Sequence, residues 1–421
     1  MAPKQAPQPA HWRALVAECI AESLRTLPAG GSFAVRVVYT ADQPVASLTP
    51  RRRLSHFHAE NTLSRRVLAF VSQGGCLVAG LEVHEFTTLR IEAQGAQPPR
   101  TDMAVDCCIE KLDTSGELTC RMPMARALVA GYLRSLHRYK TALNIPSVGV
   151  HLFARAQPEY LFAKSKDNPG KRILGDLELV KWWQSALQFA LEYSAKSIRT
   201  AVANCIVPGS TMRESTWFLG KDRTPSAGSD NSNAINGSCA ESTQSVDWRW
   251  GLPYPLGARA HDCVLQFPDD PITRLLSEPH SSAWSVSALL DMLSVSEECG
   301  SGHRTAYFMA SLPLCPDSNA QTSDIADSST ASQGRLSFED YDKILVVLFD
   351  HDMDFSSTAS AHLSSSRLKD YLDTNFDIPL ISVETTGPDI TRDPAQATNS
   401  CNLPTVNDLS TVIRKKRKVV S

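Results

Sequence analysis

Two carboxylates stand side by side between prolines in FPDDP, residues 267 to 271. Pro268 and Pro271 keep Asp269 and Asp270 out of a helix interior, because proline removes a backbone donor and restricts the residue before it. We therefore expect a stiff loop at the end of a strand. Two carboxylates so close together raise the pKa of one member, which suits proton transfer. The alternative is a solvated acidic turn, which these residues alone favour.

Three further segments carry side chains able to bind or activate a substrate. They are KLDTSG with Asp113, HLFARAQPEYLF with Arg155 and Tyr160, and NPGKRILGDLELVKWW with Lys171, Arg172, Trp182 and Trp183. Each has an ordinary alternative, since Asp-Thr-Ser-Gly is typical of a turn and adjacent tryptophans on a helix are typical of a core.

The sequence lacks the common motifs for binding metals and nucleotides and for hydrolase catalysis. It has no P-loop, no dinucleotide-binding glycine motif, no G-x-S-x-G and no H-E-x-x-H. DHDMDF, residues 350 to 355, begins like a calcium loop, but Phe355 stands where Gly is needed and Ala361 where a bidentate Glu is needed. His56 and His58 could share a strand face, yet no further ligand can be named. We predict no metal site.

Periodicity places these segments in a mixed α/β protein, and we expect one domain over residues 8–375. Helices are predicted over 10–27, from Pro123 onward and over 177–198, and β-rich segments over 32–39, 68–73, 76–86, 103–110 and 148–154. Residues 220–246 and 316–335 are rich in Ser, Asn and Asp, so we expect disordered insertions there. Residues 376–421 are predicted to form a flexible tail.

The basic block from Arg414 to Lys418 is the clearest candidate for a localisation signal in the sequence. Such a block is typical of a nuclear localisation signal read by importin, or of a contact for an acidic partner, with a merely solvated tail as the alternative.

Composition limits the classes of function. Hydrophobic residues make up 42% and charged residues 21% of the chain, as in an ordinary globular protein. A net charge of -3 argues against a positively coated nucleic-acid binder. No apolar run is long enough for a membrane span, and the start lacks the apolar core of a signal peptide. The 11 cysteines include no C-x-x-C pair, which indicates reduced thiols inside the cell.

Taken together and in this order, LDTSG, RAQ-x-x-YLF, NPGK, VKWW and FPDDP resemble the fungal histone acetyltransferase family of the regulator of Ty1 transposition type. That family modifies lysine 56 of histone H3 and is a structural relative of the CBP-type acetyltransferases. The resemblance is dense over residues 104–185 and 248–275. It implies a central, largely antiparallel sheet surrounded by helices, acetyl-CoA as co-substrate, histone H3–H4 as substrate, histone chaperones as partners and a nuclear location.

The resemblance also implies roles for individual residues. Asp270 is the first candidate for the proton acceptor, with Asp269 beside it, although both could merely attract the substrate lysine. Asp113 is expected beside the substrate channel, Tyr160 at the thioester carbonyl or the departing sulfur, and Trp183 along the lysine tunnel. The implied acetyl-CoA wall consists of Leu112, Asp113, Thr114, Arg121, Met122, Pro123, Met124, Ala125, Phe153, Arg155, Gln157, Lys171, Arg172, Ile173, Leu174 and Trp182.

One position departs from the family pattern. The family often carries a self-acetylated lysine two residues after the second aspartate, and Ile272 stands there in this chain. This departure leaves a rival hypothesis open, a catalytically weak scaffold that binds histones or chaperones. Acetylation of some other nuclear protein is a third possibility.

Overall fold

A computed structural model describes much of the chain in atomic detail. The described residues are 9–48, 57–92, 101–118, 122–143, 145, 147–194, 201–211, 213–214, 246–300, 304–312 and 335–388. Most of the predicted insertions, His56, Arg121 and the basic block at 414–418 lie outside these ranges.

Ten strands of the described ranges form one large sheet. They are β1 (Ser32–Tyr39), β2 (Gln43–Val45), β3 (Phe57–Gln73), β4 (Cys76–Glu92), β5 (Thr101–Thr114), β6 (Ser147–Ala154), β7 (Val202–Ile206), β8 (Asp247–Trp250), β9 (Ala306–Leu312) and β10 (Leu380–Glu384). Their order is β10-β1-β3-β4-β5-β6-β9-β7-β8, with β2 pairing to β3. Only the β5–β6 and β7–β8 pairs of this described sheet are parallel, so the prediction of a largely antiparallel sheet is confirmed.

Three long helices cover one face of the sheet. They are α1 (Pro9–Arg25), α2 (Met124–Leu143) and α3 (Asp176–Ser194). Val16, Ile20 and Leu24 recur along α1 at helical spacing and are fully buried, so the predicted apolar face of this helix is confirmed. These helices and every second residue of the strands form the main core, because strand side chains alternate between the two faces.

Two separate groups of helices lie on the opposite face. The first contains α4 (Ala260–Cys263), α5 (Pro271–Leu276), α6 (Val286–Val295) and α7 (Glu297–Gly300), and the second contains α8 (Phe338–Leu348) and α9 (Thr358–Asn375). The first group packs on β7 and β9 through Ile206, Tyr307 and Met309. The second packs on β1 and β3 through Val38, Leu68 and Phe70. Between the two groups, β4 and β5 carry polar side chains on this face.

The expected end of the domain at residue 375 is too early. β10 lies beyond it and pairs antiparallel with β1, from Ser32 opposite Glu384 to Arg36 opposite Leu380. Val383 is buried there against the main core. The ladder bonds to β1 order this short strand, of whose five residues only Val383 is buried. Within the described ranges, no helix has the length and apolar character needed to cross a membrane.

Candidate active site

Asp113 lies at the end of β5 and joins three of the predicted motifs. Its carboxylate is 5% exposed. Oδ2 accepts the N–H groups of residues 160–162 at 2.9, 3.0 and 3.2 Å, and Oδ1 accepts the N–H of Thr114 and the Lys171 ammonium. Five donors on two oxygens use all of the acceptor capacity of a carboxylate. The side chain therefore holds the site together, and these contacts do not support its expected place beside an open substrate channel.

Lys171 is the charged partner of this carboxylate. Its Nζ lies 2.7 Å from Asp113 Oδ1 and 2.6 Å from Ser165 Oγ, and its side chain is only 5% exposed. A buried pair of this kind is stable only while both members are present. The ammonium is thus engaged inside the protein, which does not support its expected contact with the anionic groups of a cofactor.

Close backbone approach fixes the turn after Asp113 against the NPGK turn. Gly116 has a φ of +96°, and a Cβ on Gly170 would lie 2.2 Å from the Gly116 carbonyl oxygen. Asn168 Nδ2 donates to Glu117 Oε1 at 2.6 Å and to the Phe355 carbonyl at 3.0 Å. The glycines of LDTSG and NPGK are therefore required by packing, which explains why both turns carry them.

Tyr160 closes the loop that follows β6. Its hydroxyl donates to the Arg155 carbonyl and accepts the Gln157 N–H at 2.9 Å. Burial raises the pKa of the Tyr160 phenol to about 12, with the Asp113 charge acting in the same direction. The hydroxyl is therefore a neutral hydrogen-bond donor at physiological pH.

The two tryptophans of VKWW have different surroundings. Trp183 is 5% exposed and belongs to the main core, whereas Trp182 is only partly buried against that core. The rings meet edge to face, with centroids 5.0 Å apart. Because its ring is enclosed, Trp183 does not present the open face that we expected along a lysine tunnel. Trp182 is the member of the pair whose side chain is partly exposed to solvent.

The residues predicted for the cofactor wall differ in burial and in their packing partners. Ile173 is 47% exposed although it is apolar. Met124 is buried, and Phe153 packs on Tyr307 with centroids 4.7 Å apart. The wall residues that remain half-buried are Leu112, Thr114, Met122, Ala125 and Leu174, and those that are exposed are Pro123, Arg155, Gln157 and Arg172.

The FPDDP segment is a loop, as predicted, but it does not follow a strand. Residues 264–268 run from α4 to α5 without regular structure, because Phe267 inserts beside Phe86 and His151, with centroids 5.5 and 4.8 Å away. The Gln266 N–H also bonds to the Leu48 carbonyl.

The aspartates of this loop have unequal contacts. Asp270 is the N-cap of α5 and accepts the Ile272 N–H at 2.8 Å. Asp269 has a φ of +60°, a side chain that is 96% exposed, and an ion pair with Arg274 at 2.8 Å. Ile272 is 1% exposed within an apolar cluster. Asp270 therefore caps the helix that follows the turn, whereas the Asp269 side chain projects into solvent.

Asp270 and Asp113 lie on the same face of the sheet but do not meet. Asp270 acts on Cys108, since burial raises the pKa of that thiol well above its usual value and the Asp270 charge raises it further. Cys108 and Asp113 are five residues apart on β5, on the order of 15 Å at the rise of a strand. Sequence reasoning missed the polar residues between them, His84 and Glu110, because no motif marks them.

The chain resembles known histone acetyltransferases over most of its length. The profile of the histone acetyltransferase KAT11-type domain matches residues 139–371, more than half of the chain. Histone acetyltransferase rtt109 of Aspergillus flavus is 27% identical over 338 residues, which cover 67% of this chain and 54% of that protein. The protein of the same name from Schizosaccharomyces pombe is 28% identical over 233 residues, covering 53% of this chain and 59% of that protein.

The fold also matches a solved structure. The crystal structure of Rtt109 from Aspergillus fumigatus aligns with a TM-score of 0.62 and 22% identity, covering 88% of this chain and 99% of that one. The chain spans only between half and three fifths of the curated relatives it matches. The family match nevertheless spans the NPGK, VKWW and FPDDP motifs, so the chain belongs to the KAT11-type histone acetyltransferases, with the fungal Rtt109 proteins as its relatives.

Proposed function

We propose that this protein transfers the acetyl group of acetyl-CoA to lysine side chains of histone H3, with lysine 56 as the expected site and tail lysines as further sites. The observation that carries the proposal is the junction at Asp113, where LDTSG, the Tyr160 loop and NPGK are tied together by buried hydrogen bonds. Because the chain belongs to this family and has the junction intact, we expect it to be an active acetyltransferase.

The residues around the junction suit acetyl-CoA. The pantetheine arm needs apolar contacts, which Ile173, Leu174 and the partly exposed Trp182 can supply. The phosphates need cations, and the guanidinium groups of Arg155 and Arg172 are exposed at the same loops. Acetyl-CoA brings the activated acyl group, while these residues would bind and orient it.

The acidic side chains near the FPDDP loop suit a basic substrate. Free lysine has a pKa of roughly 10.4, so only a small fraction is neutral at physiological pH. Glu110 and Asp106 keep 24% and 18% of their side chains exposed on the sheet, and the side chain of Asp269 in the loop is 96% exposed. Carboxylates here would attract a lysine of H3–H4 before it loses its proton.

Partners and location complete the proposal. Histone chaperones would present H3–H4, and importin would read Arg414 to Lys418 for entry into the nucleus, where chromatin assembly and DNA repair use such marks. We propose no membrane contact, no sequence-specific nucleic-acid contact and no bound metal.

The experiment is mass spectrometry of histone H3–H4 after incubation with the chain, acetyl-CoA and a histone chaperone, with acetyl-CoA binding measured by calorimetry. Ile173→Asp should weaken acetyl-CoA binding at least tenfold by removing exposed apolar contact, about 1.4 kcal/mol. Val346→Asp is the matched control, because Val346 is also exposed but lies on α8. Binding without acetylation would favour the scaffold hypothesis or another nuclear substrate, and no binding would overturn the proposal.

A further inference from the structure

Three side chains of neighbouring strands lie in one row beside the FPDDP loop. Cys108 of β5 is opposite His84 of β4 and beside His151 of β6 in the sheet register. The loop covers this row, since Phe267 contacts His151, and Cys108 and Leu265 both pack against the cluster of Leu48, Phe86 and Phe267. His84 is thus the strand neighbour of a thiol on which the Asp270 charge also acts.

A β-bulge directs Glu110 toward His84. Glu82 pairs with Lys111 and Val83 pairs with Ile109, so Glu110 is the extra residue on β5. Bulges of this kind reorient a side chain and occur often beside active sites. Glu110 Oε1 lies 3.3 Å from His84 Nδ1. Burial alone would raise the pKa of the Glu110 carboxyl, but its contact with His84 and the Lys111 charge hold that pKa below its usual value.

The other ring nitrogen of His84 has no partner. His84 is 4% exposed, and its Nε2 makes no hydrogen bond within the described part of the chain. A buried nitrogen without a partner is unfavourable unless a ligand supplies one. With a proton on Nδ1 facing Glu110, Nε2 keeps a free lone pair, which is the state of a histidine general base.

The aspartates are less suited to this task. Asp270 Oδ1 is engaged in capping α5, and Asp269 is exposed and paired with Arg274. Two buried histidines remain in this row, His84 and His151; His151 Nε2 lies 3.1 Å from Asp106, and its Nδ1 makes no hydrogen bond within the described residues.

We infer that His84, oriented by Glu110, accepts the proton of the substrate lysine. This inference rests on the proposed function. The ammonium gives one proton to His84 Nε2, and the neutral amine then attacks the thioester carbonyl. A C–N bond forms, the C–S bond breaks, and the second amine proton goes to the departing thiolate. The imidazolium returns its proton to water, so one proton is released per acetyl group.

The charged and titratable groups that lie around His84 belong to three strands and to the FPDDP loop. They are Arg66 of β3, Cys108, Glu110 and Lys111 of β5, the Asp106–His151 pair of β5 and β6, and Asp270 of the FPDDP loop.

The test compares His84→Gln with His151→Gln in the full chain, with H3–H4 and a histone chaperone. His151 is the matched control because it is equally buried, lies in the same row and also contacts a carboxylate. We expect His84→Gln to lower kcat by about 100-fold, the usual contribution of general-base catalysis, while acetyl-CoA affinity stays within about twofold. His151→Gln should keep most of the activity.

The pH profile separates a chemical role from a structural one. Without His84, the rate should follow the fraction of neutral lysine and rise about tenfold per pH unit from about pH 7 to about pH 9. Glu110→Gln should shift the profile in the same direction and serves if His84→Gln fails to fold. Profiles parallel to that of the wild-type chain would overturn the role of His84 and leave the proposed function intact. Absence of acetylation by the wild-type chain would overturn both.

Discussion

The Asp113 junction and the FPDDP loop are both acidic and both belong to the family motifs, yet their physical states are opposite. At the junction the carboxylate is 5% exposed and has a buried cation and four N–H donors. In the loop Asp269 is 96% exposed, and Asp270 is partly exposed and caps a short helix. The comparison teaches that aspartates of the family motifs can hold the architecture together at one place and stay open to solvent at another.

The largest effect is expected at the junction. Asp113→Asn should destabilise the protein by about 3–5 kcal/mol, because Lys171 would keep a buried charge without a counter-charge. Urea unfolding measures this loss. The double variant Asp113→Asn/Lys171→Met should recover part of it. A loss below about 1 kcal/mol would show that the pair is not a structural requirement.

Ile272→Lys tests the apolar side of the loop. The side chain is 1% exposed, so the substitution would bury an unpaired ammonium and should cost about 3 kcal/mol or more. Val346→Lys, at a position 69% exposed on α8, should change the free energy of unfolding by less than about 0.5 kcal/mol. Equal melting temperatures of the two variants would mean that position 272 can accommodate a charge.

Tyr160→Phe removes the hydroxyl that closes the loop after β6. We expect about a tenfold loss of kcat/KM, because the contact with the Arg155 carbonyl is worth about one hydrogen bond.

The raised pKa of Tyr160 also predicts a pH dependence of stability. Because this pKa is about 12 in the folded protein, the stability linked to the neutral phenol is complete below about pH 10 and is lost as the pH rises from about 10 through the folded pKa of about 12. Unfolding measured between about pH 9 and about pH 12 should show a larger loss in the wild-type chain than in Tyr160→Phe, because burial also raises the pKa of Tyr132, Tyr139 and Tyr341 in both chains.

Substitutions of Asp270 separate its cap from its charge. Asp270→Ala should cost about 1 kcal/mol of stability, whereas Asp270→Asn should cost only a few tenths because asparagine caps helices equally well. Thermal unfolding of both variants checks this difference. A large stability loss in the Asn variant would instead assign importance to the charge.

The smallest effect is expected at Asp269. Asp269→Gly relieves a positive φ and breaks an exposed ion pair, and the added freedom of the unfolded chain offsets part of the relief. The free energy of unfolding should therefore change by less than about 0.5 kcal/mol. A larger loss by urea unfolding would show that the Arg274 pair organises the loop.

Much of the fold follows from local patterns in the sequence. The apolar face of α1, the helix beginning after Pro123 and the strand at 148–154 were predictable because their periodicities are strong. β10 was missed because its residues alternate weakly and are ordered by pairing with β1.

The site was less predictable, because its decisive contacts join distant residues. Asp113 meets Lys171 across 58 positions, and only the fold shows that this carboxylate is saturated. The direction of Glu110 depends on a bulge in the β4–β5 ladder, which has no local signature. Motifs therefore located the region, while the roles within it depend on tertiary contacts.

Hydrogen–deuterium exchange of the wild-type chain, with and without acetyl-CoA, tests the central claim most directly. The account predicts that the amides of residues 160–162 exchange slowly in the free chain, because Asp113 accepts all three N–H groups. Acetyl-CoA should add protection over residues 153–157 and 172–174, with little change over residues 267–271. Fast exchange at 160–162, or protection by acetyl-CoA confined to the FPDDP loop, would contradict it.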